Sequence, residues 1–290
     1  MDQDSAPLKA LSATQVEHFR DNGFLSPVDA LTADEARQAR AFVESVEAVH
    51  GGSEKTWPRA WSLKPHLLFT GLDQVVHHPK VLDAVEDIVG PDILCWSSRL
   101  FIKDKNDGGF VSWHQDVPYW GLDVTENIVT AWVALSPATR ANGCMKVVPG
   151  SHRELIPHRE GVSNNLLLRG QEVAVEVDEE QAVYMDLAPG QLSFHHGLMV
   201  HGSEESQDDE RRIGYAVRYI PARVKPVDGL PKDYVQLVRG VDNYHHFAHE
   251  PRPVSDLDPV AVAHHKQATE TYHEINRLAA AKHAEMTATS

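Results

Sequence analysis

From Gly90 onward the sequence is written in short runs: "ILCWSSRLFIK" (93–103), "NIVTAWVALS" (127–136), "CMKVVPG" (144–150), "EVAVEV" (172–177), "QLSFHHGLMVHG" (191–202) and "RRIGYAVRYIP" (211–221). Each is rich in β-branched and aromatic residues, and Gly, Pro, Asn and Asp punctuate the intervals. Runs of this composition read as strands, and the turn residues between them favour antiparallel pairing. The pattern therefore predicts a mainly β protein with flanking helices, folded as a jelly roll, the cupin-like double-stranded β-helix.

The first ninety residues read differently. Ser12 followed by Gln15, and Thr32 followed by Glu35, are capping boxes that open helices stopping near Gly23 and at Gly51-Gly52. A third helix is predicted from Pro79 to Gly90, and a last one, rich in Ala and His, from about Pro259. There is no internal repeat and no low-complexity linker. The simplest organisation is one domain over 1–290: helical over 1–90, jelly roll over about 91–222, and a C-terminal helical segment over about 259–285.

A formal net charge of −15 argues against non-specific nucleic-acid binding and against an anionic membrane surface, but not against a local basic pocket. No apolar stretch approaches the length of a membrane span, and the start "MDQDSAPLKALSATQ" lacks the pattern of a signal peptide. Cys95 and Cys144, each inside an apolar run, are expected as buried free thiols of a cytoplasmic protein.

The stretch "VSWHQDVPYW" (111–120) places His114 and Asp116 one residue apart among aromatics. With 18 His in 290 residues, about one His-x-Asp is expected by chance, so the triplet alone is weak. His152-Arg153-Glu154, His158-Arg159-Glu160 and His283-Ala284-Glu285 also put a carboxylate two places after a His. A jelly roll, however, brings distant strands around one interior. A second set of ligands is available in residues 192–219: His195, His196 and His201 on a predicted strand, followed by a polar loop and Arg211-Arg212. On a continuous strand His195 and His201 share a face and His196 points away. His245, His246 and His249 in "YHHFAH" read as a lid or surface segment.

These residues carry a resemblance. From about Leu11 to at least Pro221, and most densely in "WHQD", "AWVALSPATRANGCMKVVPGSH" and "HGSEESQDDERRIGYAVRY", the chain resembles the phytanoyl-CoA dioxygenase family of Fe(II)- and 2-oxoglutarate-dependent oxygenases. The resemblance implies a 2-His-1-carboxylate iron site made by His114, Asp116 and His201. It implies that Arg212 holds the far carboxylate of 2-oxoglutarate, and that Ser203 and Trp132 line the same co-substrate. Gln191 and Ser206 depart from residues common in the family, outside the metal and co-substrate positions.

The implied chemistry consumes 2-oxoglutarate and O2, releases succinate and CO2, and hydroxylates a substrate. Three ligands on one face of the metal leave positions for the 2-oxo acid and for dioxygen, and a planar guanidinium suits a carboxylate in a way Lys does not. Desaturation, ring formation or epimerisation by the same oxidant stay open, as does a metal-binding jelly roll with no oxygenase activity. Arg212 and Ser203 favour the oxygenase, and Asp116, missing in halogenating relatives, argues against halogenation. The substrate is expected to be a small metabolite or natural-product intermediate rather than a bulky polyanion. Segments 55–70, 117–127 and 155–170 are its expected walls, with Trp113, Tyr119 and Trp120 beside it.

Overall fold

A computed structural model describes residues 7–51, 56–122, 128–160, 166 and 171–288. The N-terminal part contains helix α1 (Ala13–Asn22), strand β1 (Phe24–Asp29), and helices α2 (Ala33–His50), α3 (Thr70–Val76) and α4 (Pro79–Val89). The strands that follow are β2 (Ile93–Lys103), β3 (Val111–His114), β4 (Val129–Ala134), β5 (Lys146–Val147), β6 (His158–Glu160), β7 (Gln171–Val173), β8 (Val183–Tyr184), β9 (Gln191–His196), β10 (His201–Ser203), β11 (Arg212–Pro221), β12 (Tyr234–Arg239) and β13 (Ala248–His249). Helix α5 (Pro259–Ala288) closes the chain. None of these helices is long and apolar enough to cross a membrane.

The helix boundaries follow local chemistry. Ser12 Oγ accepts from the Gln15 amide while the Gln15 side chain accepts from the Ser12 amide, and Gly23, at φ +77°, ends α1. Thr32 and Glu35 repeat the box at α2. Pro79 opens α4, where a missing amide costs nothing.

Seven strands form the larger sheet, in the order β1-β9-β4-β11-β2-β12-β13, and β3-β10-β5-β8 form the smaller one. This is the jelly roll expected from the sequence. Alternation along each strand gives the large sheet two unlike faces. Ile213, Tyr215, Val217 and Tyr219 of β11, with Val129, Ala131 and Val133 of β4, join a core with residues of α1 to α4. Each such aliphatic or aromatic side chain contributes roughly 1.5–3 kcal/mol by leaving water. The opposite face carries Thr130, Trp132, Arg212, Ala216 and Arg218, and encloses a cavity with the smaller sheet.

Several elements differ from the sequence reading. Strand β1 lies inside the segment expected to be helical; it holds the sheet edge beside β9, where its Pro27 is tolerated. Helix α3 and strands β12 and β13 had no clear periodicity. "QLSFHHGLMVHG" is not one strand. It turns at Gly197–Val200, so that β9 belongs to the large sheet and β10 to the small one. At Gly197 a Cβ would meet Val117 Cγ2 at 2.3 Å, which keeps this turn tight. Cys95 and Cys144 are free and buried in different cores, and burial pushes both thiols up.

Gly214 ties the sheet to the cavity wall. A Cβ there would lie 1.8 Å from Trp132 Cζ2, so only glycine lets the indole lie across β11. Gly214→Ala is expected to displace Trp132 and to cost on the order of 1–3 kcal/mol, read as a lower denaturant midpoint. An unchanged midpoint would show that the indole has room to move.

Candidate metal centre

His114 and His201 are cross-strand partners in the β3–β10 pair, and their ring centroids lie 4.1 Å apart. Each ring is turned by its own backbone. The Nδ1 of His114 lies 2.9 Å from the Ser112 carbonyl, and that of His201 lies 2.9 Å from the Met199 carbonyl. With Nδ1–H donating to a carbonyl, each Nε2 is left as a lone-pair donor facing the cavity. Asp116 is placed by the chain just past β3: its amide and that of Val117 both donate to the Gly197 carbonyl, at 3.1 Å each. The turn that separates β9 from β10 thus anchors the carboxylate as well.

The ligand atoms of His114, Asp116 and His201 all lie within 4.8 Å of one another, and the three residues are buried. Asp116 Oδ1 is 3.5 Å from His114 Nε2, while Oδ2 has no hydrogen-bond partner. A buried carboxylate oxygen without a partner beside two inward imidazole nitrogens is what a small divalent cation would satisfy. Among the described residues no other group of three potential ligands is close enough to hold an ion.

The protonation states suit that role. Burial alone would push the Asp116 carboxyl up, but the adjacent His114 and His195 rings and the charge of Arg218 hold it well below the usual range. Burial, then the neighbouring His114 and His195, push His201 well below the ordinary imidazole value. His195 is also pushed down, by burial. It lines the cavity, 4.4 Å from the His201 ring, with Nε2 3.8 Å from Asp116 Oδ2. The expectation that His195 and His201 share one strand face is corrected here, because they approach across the two sheets. His196 turns away beside His152, 5.4 Å between rings.

Arg212 lies on the same cavity and is 2% exposed. Its guanidinium carbon sits 5.3 Å from the Trp132 ring centroid, Nη1 donates to the Gly143 carbonyl, and Nε has no partner. Ser203 Oγ accepts from Lys103 Nζ at 2.8 Å. Lys103 was not singled out in the sequence. It is fully buried, and burial followed by the charge of Arg212 brings its ammonium down to about 6. Arg212 and Lys103 are register partners on β11 and β2, and with no carboxylate bonded to either among the described residues they form an unfinished arrangement that an acidic ligand would complete. The signal for Lys103 was its parity with Arg99 and Phe101 on β2, legible only once the inner face of that strand is known. Arg211, by contrast, faces outward and makes two hydrogen bonds to Glu47, at 2.7 and 2.8 Å.

The expected substrate walls are placed unevenly. Trp113 is corrected: next to His114 on a pleated strand, it faces the other way, bonding Glu179 through Nε1 beneath the Lys146 ammonium. Trp120 packs on Trp96 at 4.7 Å, and the Arg218 guanidinium carbon lies 5.9 Å from its ring centroid. Tyr119 sits in a 3-10 turn, Val117–Tyr119, and its side chain lies outside the described residues, as do 123–127 and most of 161–170. From 55–70, Trp57, Arg59 and Ser62 line a surface pocket that shares the Phe101 side chain as a wall with the metal cavity. His249 pairs with Asp242 at 2.8 Å. His152 and His158 serve backbone groups, of Arg20 and of Gln115 and Ile156.

The family profile described as phytanoyl-CoA dioxygenase (PhyH) matches residues 19–214. Human peroxisomal phytanoyl-CoA dioxygenase is 30% identical over 159 residues, 52% of this chain and 46% of that protein. A phytanoyl-CoA dioxygenase domain-containing protein 1 homolog of Caenorhabditis elegans is 24% identical over 212 residues, 69% of this chain and 70% of that one. The chain spans about half the length of the first curated relatives it matches. Among solved structures, the non-heme monooxygenase ThoJ is 39% identical with a TM-score of 0.80, covering 92% of this chain and 99% of that one. CytC3 with Fe(II) and alpha-ketoglutarate, 21% identical with a TM-score of 0.62, shares the fold.

One divalent ion per chain is expected to bind at the triad. His114→Ala or His201→Ala leaves two protein ligands and should abolish stoichiometric binding of Fe(II), measured anaerobically by metal analysis after desalting. Retention of one iron by His201→Ala would move the third ligand to His195, the other imidazole within reach.

Proposed function

The chain belongs to the phytanoyl-CoA dioxygenase family, and from that premise we propose that it is an Fe(II)- and 2-oxoglutarate-dependent dioxygenase acting on a small-molecule substrate, a metabolite or natural-product intermediate, most simply by hydroxylation. One observation carries the proposal. A buried His114–Asp116–His201 triad, Arg212 without an acidic partner among the described residues, and Ser203, hydrogen-bonded to Lys103 behind it, line one cavity. A bare metal-binding protein has no use for that arginine.

When bound, the metal and the 2-oxo acid together supply the oxidising power, using O2 and releasing succinate and CO2. The protein does the rest by placement. His114 and His201, held in one tautomer by their backbone hydrogen bonds, present Nε2, and Asp116 presents an ionised carboxylate. Arg212 offers a planar fork to the distal carboxylate of 2-oxoglutarate, backed by Trp132. Ser203, oriented by Lys103 behind it, completes the donors at that end. The wall of Phe101, Met145 and Ala216 keeps the cavity apolar between the two polar ends, which limits water around the reacting atoms.

Arg212→Ala is expected to raise the 2-oxoglutarate requirement roughly 10- to 150-fold, the range for losing a charged hydrogen-bonded pair, while Fe(II) stays bound. Arg212→Lys should rescue poorly. Arg211→Ala should instead lower stability, because it strips Glu47 of its partner. The readout is the visible charge-transfer band of the anaerobic protein with Fe(II), titrated with 2-oxoglutarate. A larger shift from Arg211→Ala would mean that the wrong arginine has been assigned.

Lys103 gives the site a pH dependence with a definite sign. Below pH 6 the ammonium is already charged and binding needs no proton. Above pH 6 the free protein holds Lys103 neutral, and a bound carboxylate raises its pKa. Binding of 2-oxoglutarate then takes up as much as one proton, and affinity falls by up to about tenfold per pH unit. Calorimetry in buffers of different ionisation enthalpy should detect the uptake, and Lys103→Met should remove it. A wild type with no uptake between pH 6.5 and 8 would exclude Lys103 from the co-substrate end.

A further inference from the structure

The inner face of the large sheet carries two more cations than the co-substrate needs. Arg218 stands six residues beyond Arg212 on β11, which at about 3.3 Å per residue puts their Cα atoms roughly 20 Å apart. Arg99 stands on the neighbouring β2. The register pairs Arg99 with Ala216 and Arg218 with Ser97, so the two arginines are diagonal neighbours on one face. Side chains in that relation begin about 7–8 Å apart. Both reach toward one aromatic ring: their guanidinium carbons lie 4.9 Å and 5.9 Å from the Phe101 centroid.

Neither has an acidic hydrogen-bond partner among the described residues. Arg218 is 8% exposed, lines the metal cavity and leaves Nε without a partner. Arg99 donates from Nη2 to the Leu166 carbonyl at 2.8 Å and also leaves Nε unpartnered. The acids of the adjoining surface pocket are already used: Glu47 and Asp104 by Arg211, and Asp107 by the amides of Asp104 and Gly109. The remaining carboxylate whose charge reaches both arginines is that of Asp116, which the metal claims. Burial, then the charge of Arg218, brings the Arg99 guanidinium down to about 10, a sign that the two cations repel. Tyr272 of α5, its ring tilted 39° against Trp96 at 5.1 Å, sits within the influence of Arg218, Asp116 and Arg99.

Phe101 also lines the surface pocket that holds Arg59, an exposed arginine with no ion pair among the described residues, together with Arg99. Arg59 and Arg99 on one pocket and Arg218 on the other thus lie near Phe101 in a chain of net charge −15. A local group of cations in an acidic protein concentrates anions there. We propose that the substrate carries an acidic group, a carboxylate or a phosphoryl group, and that Arg99 and Arg218 bind it at the end of the cavity away from Arg212. This rests on the oxygenase reading above and extends it to the chemical class of the substrate. It also sets which carbon is oxidised, because an anchored anion leaves only atoms at a fixed distance within reach of the metal.

The test uses the full chain loaded anaerobically with Fe(II) and saturating 2-oxoglutarate, so that Arg212 is occupied. Inorganic phosphate and benzoate are the two probes, titrated while following the charge-transfer band and tryptophan fluorescence, since Trp120 lies against Arg218. Saturable binding of at least one probe is expected, phosphate marking a phosphoryl site and benzoate a carboxylate site. Arg218→Gln and Arg99→Gln should each weaken it roughly 10- to 150-fold, and Arg218→Lys should retain part of it. The 2-oxoglutarate affinity of Arg99→Gln should stay within about threefold of wild type. If Arg218→Gln does not fold, Arg99→Gln, at a half-buried position, and Arg218→Lys decide the matter. Loss of the charge-transfer band in the unmodified protein would overturn the oxygenase reading. A normal band with no probe binding, or with binding indifferent to both arginines, would overturn the anion site alone. Weakened 2-oxoglutarate binding in Arg99→Gln would assign that arginine to the co-substrate and overturn the proposal too.

Discussion

Along β11, Ile213, Tyr215, Val217 and Tyr219 are sealed under the helices while Arg212, Gly214, Ala216 and Arg218 face the other sheet. This two-residue alternation is what the rest of the molecule depends on. Slipping the strand by one residue would bury Arg212 and Arg218 in the helical core and turn four large apolar side chains into the cavity. The apolar face therefore holds the register, and the register places the cations. Because β11 is central, paired on one side with β4 and on the other with β2, the same constraint passes to Trp132 and to Lys103, Phe101 and Arg99.

The metal triad depends on a second contact, between the end of β3 and the turn that separates β9 from β10. The Gly197 carbonyl takes two hydrogen bonds from the amides of Asp116 and Val117. The turn itself swings the chain from the large sheet to the small one, so that His195 and His201 approach the same point from opposite walls. Packing at Val117 and Trp120 keeps this corner dry. A buried carboxylate in such surroundings needs charged and hydrogen-bonding neighbours to stay ionised, and His114, His195 and Arg218 supply them.

The distribution of charge follows the same logic. Overall the chain is acidic, and most surface arginines pair with acids, as Arg211 does with Glu47 and Arg239 does with Asp83 and Glu86. Arg212 and Arg218 of the cavity, and Lys103 behind Ser203, do not. Burying cations without partners lowers stability, and here they gather on one face around one space. That is the expected mark of a site whose missing anions arrive as ligands.

Local chemistry made much of this legible beforehand. Capping boxes at Ser12 and Thr32 mark helix starts because their hydrogen bonds span three residues, and the β runs after Gly90 announce a jelly roll because alternation is written in the chain. His114, Asp116, His201, Arg212, Ser203 and Trp132 stood out by motif, and the structure gathers them around one cavity. Trp113 was misplaced because its neighbour His114 was taken as a guide to its position, whereas adjacent residues on a strand face opposite ways. Lys103, Arg99 and Arg218 were missed because which face of β2 and β11 turns inward is not a local property. The sequence by itself determined the fold class, the strand runs and the ligand types. Only the tertiary structure decided which strands face each other, and so which charges share one buried space, because that outcome rests on contacts between residues a hundred positions apart.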